Sequence, residues 1–438
     1  MIDFPALHCA HVEALGRRYA PLFARFNLDA LVVHSGTAQK KTRYDDQFWP
    51  LRPNPHFQHW LALEEAGALI VLRPGRKPTL WRSTSFDFWD APARVDRSML
   101  EPFDVREVAG ALPCGEIIAS TERALFLGED DDAAGALGLA RADSNVDLLA
   151  AIDSLRVFKT AYEVACLTEA NRRACLGHAA VREHFLSGDF SELELHLTYL
   201  RATGQDDAET PYKNIVALGA ACATLHYVRY DHGRRARPTD SLLVDAGACH
   251  RGYCSDITRT YARGTGAVAE TFRGLIAGVN DFQQILNKNA RVGRSYESLH
   301  DESHEHLGRL VVEAGLFRGT PETAVQLGFT RALLPHGLGH SLGLQCHDVG
   351  CASLKPRADN PFLRNTSVIA ADQCFTIEPG IYFIEPLLGP FRTGDDAPLV
   401  AWDLIDELAP FGGVRIEDDL VVRADGPCDN LTRAHLSW

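Results

Sequence analysis

Apolar positions alternate between helical and strand spacing along the first third of the chain. The segment HVEALGRRYAPLFARF (11–26) has apolar residues at helical intervals, and LDALVVHSG (28–36) follows as a short β-branched run that ends in glycine. Two more apolar runs flank a Pro-Gly turn in AGALIVLRPGRKPTLW (66–81). This mixture predicts an α/β domain over residues 1–155. Within it, GEDDDAAGALGLARADSN (128–145) has loop composition and predicts a solvated acidic surface rather than a metal site.

The remainder of the chain, residues 156–438, begins with a long helical pattern and continues with strand-like runs between helical ones. Apolar spacing predicts helices at roughly 269–290 and 296–315. Strands dominate late in the chain and their turns are tight, which favours a mostly antiparallel sheet and an α+β domain. The strand-like runs of this domain are KNIVALG, DSLLVDAG, DITRTYARG, QCFTIEPGIYF and VRIEDDLVVR.

Composition narrows the class of partner. The chain has 44 basic and 58 acidic residues, for a net charge of −14, which argues against nucleic acid or an anionic membrane surface as a partner. The first residues lack the pattern of a signal peptide, and no apolar run approaches the roughly 18 residues of a membrane span. Eleven cysteines without a C-x-x-C pair predict reduced thiols. We expect a cytoplasmic protein that acts on a small molecule or a peptide.

Two aspartates in LLVDAGACHRGYCSDITRTY (242–261) raise a chemical question, because both lie next to strand-like runs. A hairpin that turns symmetrically about His250 and Arg251 would place Asp245 and Asp256 opposite each other, with Cβ atoms about 4.5 to 5.5 Å apart. Two such carboxylates repel each other unless they share a proton or a cation lies between them. A register shifted by one residue would instead put them on opposite faces of the sheet. The hairpin alone leaves all three interpretations open.

Three histidines lie among glycines in PHGLGHSLGLQCHDVG (335–350). His336 and His340 have the spacing of a zinc-protease helix, but the glutamate of the H-E-x-x-H motif is missing and glycines intervene. A glycine-rich loop or strand that lets the backbone approach a ligand fits this segment better. For any one of these histidines, including His347, a structural role is equally compatible with the sequence.

Two glutamates interrupt apolar strand patterns near the end of the chain. Glu378 lies in CFTIEPGIYF and Glu417 lies in VRIEDDLVV. A glutamate in a buried strand costs several kcal/mol unless it is paired or metal-bound. An arginine partner such as Arg415 would also explain either glutamate alone. Taken together, two aspartates, two glutamates and a histidine form an oxygen-rich set that suits two divalent cations, Mn²⁺ or Co²⁺ rather than thiolate-bound zinc.

Four segments, in this order and spacing, resemble the metallopeptidases of the pita-bread fold: LLVDAGACHRGYCSDITRTY, PHGLGHSLGLQCHDVG, FTIEPGIYF and VRIEDDLVV. That family includes methionine aminopeptidase, aminopeptidase P and prolidase. The chain is most similar to its bacterial Xaa-Pro dipeptidase (prolidase) group, which also contains organophosphorus acid anhydrolases. The resemblance extends over almost the whole chain, including DDQFWPLRPNPHFQHW (45–60). It implies a creatinase-like N-terminal domain and a pita-bread catalytic domain with a curved sheet.

The resemblance also implies a dinuclear metal centre, with Mn²⁺ as the first expectation and Co²⁺ or Zn²⁺ as alternatives. The implied ligands are Asp245, Asp256, His340, Glu378 and Glu417. A hydroxide shared by the two cations would attack the carbonyl carbon of the Xaa-Pro bond. Glu378 would take its proton and pass it to the proline nitrogen, which carries no hydrogen of its own in a tertiary amide. His336 is expected to support the ligands and the substrate.

Further residues match family positions around the substrate. His226 and His347 match histidines that stabilise the oxyanion or orient the substrate. Tyr212 and Asp45 match positions of the substrate pocket. Asp45 lies in the N-terminal domain, which in relatives reaches the active site of the other subunit, so the resemblance implies a homodimer.

Specificity for a dipeptide requires recognition of a free C-terminal carboxylate, for which a planar arginine fork is well suited. Arg364 and Arg415 match the family arginines for that task, although Arg415 also fits a structural pairing with Glu417 or Asp418. Cys346 stands where relatives often carry an aliphatic residue. We expect a buried, inert thiol there, with pocket size and oxidation sensitivity as the alternatives.

The leading expectation is therefore a dinuclear-metal dipeptidase that cleaves dipeptides with C-terminal proline. Cleavage of Xaa-Pro tripeptides would indicate aminopeptidase P instead. Promiscuous hydrolysis of phosphotriesters is a second expectation, since a metal-activated hydroxide also attacks phosphorus. A metal-free binding module is the alternative from a different class, because a fold does not fix its chemistry.

Overall fold

The computed structural model describes residues 2–85, 88–89, 95–352 and 354–436. The chain forms two compact units, Met1–Cys166 and Leu167–Trp438. The compact units divide at 166/167, and the domain boundary predicted at 155/156 stays a prediction. None of the helices among the described residues is long and apolar enough to cross a membrane.

The first unit is built on a mixed six-stranded sheet. Its helices are α1 (Phe4–Arg25), α2 (Pro55–Gln58), α3 (Cys114–Ile117), α4 (Asp131–Ala136) and α5 (Val146–Leu155), with 3₁₀ turns at Arg97–Leu100 and Ala142–Ser144. Its strands are β1 (Ala30–His34), β2 (Leu69–Leu72), β3 (Thr79–Ser83), β4 (Asp104–Val108), β5 (Ala124–Leu127) and β6 (Ala140–Arg141). The strand order is β4-β3-β2-β1-β5-β6, and the β1–β5, β3–β4 and β5–β6 pairs are parallel. The predicted α/β class is confirmed.

Residues 128–145 have the composition of a loop but form regular elements, while the solvated surface predicted for them agrees with their mostly exposed side chains. This stretch contains α4, β6 and a 3₁₀ turn. The side chain of Asp130 accepts a hydrogen bond from the Ala133 backbone N–H and caps the helix, and two more aspartates occupy the first turn. Negative side chains are favourable at a helix N-terminus. The acidic run is thus a helix start whose composition imitates a loop.

The second unit combines long helices with short antiparallel strands. Its helices are α6 (Ala161–Ser187), which begins in the first unit, α7 (Glu192–Thr203), α8 (Ala267–Asn289), α9 (Tyr296–Glu313), α10 (Pro321–Gln326), α11 (Phe329–Leu333), α12 (Glu385–Thr393) and α13 (Trp402–Leu408), with 3₁₀ turns at Gly219–Ala223, Ala397–Leu399 and Ala409–Phe411. Its strands are β7 (Ile215–Leu218), β8 (Asp240–Asp245), β9 (Cys249–His250), β10 (Tyr253–Cys254), β11 (Thr258–Arg263), β12 (Cys374–Ile377), β13 (Gly380–Tyr382), β14 (Gly413–Arg415), β15 (Asp418–Val421) and β16 (Asp429–Asn430).

Antiparallel pairing dominates this unit, as predicted. The sheets are β11-β8-β7, β12-β15-β16, β13-β14 and β10-β9, and each of these described pairs is antiparallel. Single bridges add to these pairs: Thr258 in β11 pairs with Glu417, and Ser341 pairs with Phe375 in β12. The predicted helices at 269–290 and 296–315 correspond to α8 and α9. The α+β expectation is confirmed, and the bridges bring Glu417 beside β11 and the segment of His340 beside β12.

Candidate metal centre

The hairpin that carries the two aspartates turns one residue later than predicted. Its turn residues are Arg251 and Gly252, with φ of 52° and 85°, as a two-residue type I′ turn requires. Asp245 consequently lies opposite Thr258 and not opposite Asp256. The predicted direct opposition of the two aspartates is wrong.

The two aspartates nevertheless lie on the same face of the hairpin. The one-residue displacement of the turn moves the pairing by two positions, and side chains alternate with a period of two. The Tyr212 hydroxyl lies 2.7 Å from Oδ1 of Asp245 and 2.5 Å from Oδ1 of Asp256. A phenol has a single hydrogen to donate, so it cannot satisfy both carboxylates. The pair therefore needs a shared proton or a cation.

His340 joins the aspartates from the glycine-rich segment. Its Nε2 lies 3.3 Å from Oδ2 of Asp256, while its Nδ1 lies 3.0 Å from the Ser341 carbonyl oxygen. That carbonyl requires the hydrogen on Nδ1 and leaves Nε2 to bind a cation in the neutral ring. The segment approaches β12 closely because position 339 is glycine: a Cβ atom there would lie 2.3 Å from the Thr376 carbonyl oxygen.

The two glutamates complete the cluster. Glu378 directly follows β12, and its Oε1 lies 3.6 Å from Nε2 of His340. Glu417 lies between β14 and β15 and is 2% exposed, and its Oε2 accepts a hydrogen bond of 2.6 Å from the Thr258 hydroxyl. Ligand atoms of Asp256, His340 and Glu417 all lie within 4.8 Å of one another. The structure thus brings the five predicted metal ligands together.

Electrostatics test whether cations fit this cluster. Burial raises the pKa of Glu417 well above its usual range and that of Glu378 to about 7. Burial likewise raises the pKa of Asp245. For Asp256, burial acts in the same direction, but the hydrogen bond and charge of His340 outweigh it and lower the pKa. Because several of these carboxyl groups would hold protons without a counter-charge, the donor set fits two divalent cations, whose charge four carboxylates would balance.

Arg415 forms a contact that the sequence did not predict. The expectations were a substrate contact or a pairing with Glu417 or Asp418, whereas the structure pairs it with Asp245. Its Nη2 donates a 2.5 Å hydrogen bond to Oδ2 of Asp245, and its Nη1 donates one of 3.0 Å to the Tyr382 hydroxyl. The suggested partner Asp418 instead forms an ion pair of 2.7 Å with Arg259. Arg415 therefore neutralises a predicted metal ligand. Its contact with a substrate carboxylate stays a prediction.

Two neighbours of the centre were not recognised in the sequence as contacts. The Tyr382 hydroxyl lies 2.8 Å from Nε2 of His336 and so joins that histidine to Arg415. The Cys346 thiol lies 2.8 Å from Oδ2 of Asp256 and belongs to a half-buried residue, and the expectation of an inert thiol there stays a prediction. Tyr382 follows Glu378 closely in IEPGIY, and that proximity was the available signal.

The outer predicted residues lie on the solvent side. The exposed ring of His347 has its centroid 4.3 Å from that of His340. Desolvation by the surrounding residues, together with the charges of His340, Arg364 and His226, lowers the pKa of His347 to about 4. Arg364 and His226 are themselves exposed. Asp45 lies in the first unit, where its carboxylate accepts a 2.9 Å hydrogen bond from the Gln47 backbone N–H. The roles of these residues stay predictions.

A buried, oxygen-rich ligand set with one imidazole, carried on antiparallel strands, defines a metallohydrolase centre. The chain belongs to metallopeptidase family M24, whose family model matches residues 165–424. A second model, for the Xaa-Pro dipeptidase N-terminal domain, matches residues 6–155.

Comparison with individual proteins agrees with this assignment. The chain is 41% identical over 437 residues to the Xaa-Pro dipeptidase of Marinobacter nauticus, covering 98% of each chain. It is 39% identical over 450 residues to that of Pectobacterium carotovorum, covering 99% of each. Zinc-substituted aminopeptidase P of E. coli has a similar fold, with a TM-score of 0.75 at 22% identity over 98% of this chain and 96% of that one.

Proposed function

We propose that this chain is an Xaa-Pro dipeptidase that hydrolyses the bond before a C-terminal proline in dipeptides, with two divalent cations, Mn²⁺ as first choice. The observation that carries the proposal is the cluster of four carboxylates and His340, whose buried charges call for a cation. Similarity to Xaa-Pro dipeptidases over the full length of the chain supports the substrate class.

The residues that would hold the cations are Asp245, Asp256, His340, Glu378 and Glu417. When bound, the cations supply an activated water and polarise the scissile carbonyl. Bound cations would favour the carboxylate forms of Glu378 and Glu417, because their positive charge opposes the burial that raises both pKa values. Zn²⁺ and Co²⁺ remain the alternatives to Mn²⁺, because the same donors accept them.

The remaining chemistry falls to groups around the cluster. Glu378 is the proposed proton carrier to the proline nitrogen, a role that its partial exposure supports: its side chain is 16% exposed and thus open to the substrate side. His226 and His347 would contact the developing oxyanion or orient the peptide. Arg364, which is exposed, is the proposed anchor for the substrate carboxylate.

Arg415, Tyr212 and His336 are proposed to line the substrate pocket. Arg415 and Tyr212 also orient Asp245, since both form hydrogen bonds to its carboxylate. For Arg415 we therefore propose the orientation of this ligand as the main role and the substrate contact as secondary. Weak hydrolysis of phosphotriesters at the same centre is included in the proposal.

A homodimer is part of the proposal, with Asp45 contributing to the partner's substrate pocket. Its neighbours Tyr44, Phe48 and Trp49 are 86%, 51% and 58% exposed. Aromatic surface of this kind is typical of a protein interface. We further propose a cytoplasmic location, which eleven reduced cysteines support, and a domain boundary at 155/156.

The test is cleavage of Leu-Pro by the chelated protein before and after addition of Mn²⁺, with Asp256→Asn as the matched variant. We expect activity that Mn²⁺ restores in the wild type and not in the variant. A Leu-Pro-containing tripeptide serves as the specificity control and should be cleaved far more slowly. Absence of activity with any divalent metal would contradict the proposal and leave a binding role.

A further inference from the structure

Two thiols face each other near the turn of the metal-ligand hairpin. Cys249 in β9 is paired directly with Cys254 in β10, and their sulfur atoms lie 4.0 Å apart. The Cys254 backbone N–H donates to the Gly343 carbonyl oxygen, away from the hairpin, while Ser255 N–H donates across it to Ala248. The cysteines therefore occupy a non-hydrogen-bonded position, where opposed Cα atoms are about 4.5 Å apart. This separation lies within the range that a disulfide spans, about 4.4 to 6.8 Å.

The two thiols lie on the same face of the hairpin as the aspartates. Cys254 precedes Asp256 by two residues, and Cys249 follows Asp245 by four, so all four side chains fall on one side of the alternation. The register is continuous between them, since Ala246 N–H donates to the Ile257 carbonyl oxygen. A covalent change at the cysteine pair thus occurs two residues from Asp256, a predicted metal ligand on the same face of the hairpin.

Hydrogen bonds around the two cysteines connect a disulfide between them to the metal centre. The Cys249 backbone is held on both sides, by Gln205 Oε1 at 2.8 Å and by the Arg173 guanidinium at 2.6 Å. Any adjustment in β10 is passed directly to Asp256, which lies two residues after Cys254. β10 is also bound to Gly343 in the segment that carries His340. A spacing of about 4.5 Å is at the short end for a disulfide, so closing the bond requires such adjustment.

The two thiols differ in solvent exposure, so that one of them can react with a peroxide first and the other can then close the disulfide. Cys249 is half-buried, whereas Cys254 is buried. We propose that Cys249 and Cys254 form a reversible disulfide on exposure to hydrogen peroxide, and that this modification impairs the metal centre. Cys249 sulfur would attack the peroxide, breaking the O–O bond and giving a sulfenic acid and water. Cys254 sulfur would then form the S–S bond and expel a second water, so two thiols and one peroxide yield a disulfide and two waters.

The chemistry is tested on the full-length, Mn²⁺-loaded protein treated with hydrogen peroxide, alkylated and digested with trypsin. Trypsin cleaves after Arg251, between the two cysteines, so the disulfide joins peptides that otherwise separate. We expect this cross-linked pair, its loss on treatment with dithiothreitol, and its absence in Cys249→Ser. Cross-linking of Cys254 to Cys346 instead, or over-oxidation of Cys249 without a cross-link, would overturn the proposal.

The functional effect is followed on the same samples. We expect Leu-Pro cleavage to fall at least about tenfold and to recover with dithiothreitol, because displacement of a site by about 1 Å costs up to a hundredfold. The activity of Cys249→Ser and Cys254→Ala should resist peroxide treatment. Cys114 is a half-buried thiol of the first unit, and the control variant Cys114→Ser should lose activity as the wild type does. Equal inactivation of Cys249→Ser and wild type would overturn the proposal.

The activity readout rests on the proposed dipeptidase function, whereas the mass measurement does not. If the protein lacks dipeptidase activity, the thermal shift on adding Mn²⁺ reports the state of the centre. It should shrink in the cross-linked protein and return with dithiothreitol. An unchanged shift in fully cross-linked protein would contradict the coupling between thiols and metal centre.

Discussion

Gly247 is the position where one added methyl group should most directly disturb the two aspartates. It lies between Asp245 and β9, and a Cβ atom there would lie 2.0 Å from the Ser255 carbonyl oxygen and 2.7 Å from Cγ of Pro211. Ordinary contacts begin at 3.4 Å. Ser255 precedes Asp256, so restoring the contact requires moving that peptide by more than an ångström. Crowding of this kind typically costs about 1 to 3 kcal/mol.

We expect Gly247→Ala to lower kcat for Leu-Pro by about a hundredfold, the cost of a misplacement near 1 Å, and to weaken Mn²⁺ binding measured by calorimetry. The matched control is Gly274→Ala in α8, where a Cβ atom meets nothing within 4 Å. That helix should gain about 0.5 to 1 kcal/mol. If Gly247→Ala kept at least half of the wild-type kcat and its Mn²⁺ affinity, the argument from close backbone approach would be refuted.

Further predictions concern a buried ion pair, pH and a buried hydroxyl. Arg415→Met should lower the unfolding free energy of the chelated protein by about 3 to 5 kcal/mol, because it leaves Asp245 without its buried partner. Urea titration measures this, and Asp245→Asn combined with Arg415→Met should recover part of the loss. Burial lowers the pKa of His300 to about 4 and that of His304 to about 2, below the ordinary value of 6.5. Their contribution to stability is therefore complete above pH 6.5 and is lost as the pH falls, at about 1.4 kcal/mol per pH unit for each histidine. Other buried histidines, such as His11 and His178, also have lowered pKa values, so replacing both His300 and His304 by Gln should reduce the slope measured by urea titrations from pH 7.5 to 5 without abolishing it. Tyr382→Phe should reduce kcat/KM about tenfold in a dipeptide assay, because its hydroxyl accepts a hydrogen bond from Arg415; an unchanged kcat/KM would exclude an orienting role.

Local patterns predicted the fold class of both parts of the chain, because each helix and strand carries its own periodicity. The helices α8 and α9 agree with the expected ranges within a few residues. The loop-like composition of residues 128–145 has a local cause: aspartates favour both loops and the first turn of a helix. Composition does not separate these alternatives, whereas the Asp130 cap does.

Contacts within the centre were harder to predict, because they join distant parts of the chain. The Arg415–Asp245 pair spans 170 positions and the Cys346–Asp256 contact spans 90. Periodicity assigns a residue to a face of its own strand and contains no information on which face of another strand it meets. The ligand set was nevertheless recognisable, since carboxylates in apolar strands need a partner whatever the topology.

The hairpin illustrates which part of such a prediction is robust. Any turn with an even number of residues between Asp245 and Asp256 places them on one face, because their positions add to an odd number. The predicted turn and the observed one both contain two residues, so the error in the turn centre did not change the face. Glycine at 252 and the positive φ of Arg251 fix the later centre. The same parity brings Cys249 and Cys254 to that face. A pair of thiols and a pair of predicted metal ligands therefore share one surface of a hairpin whose register a single turn determines.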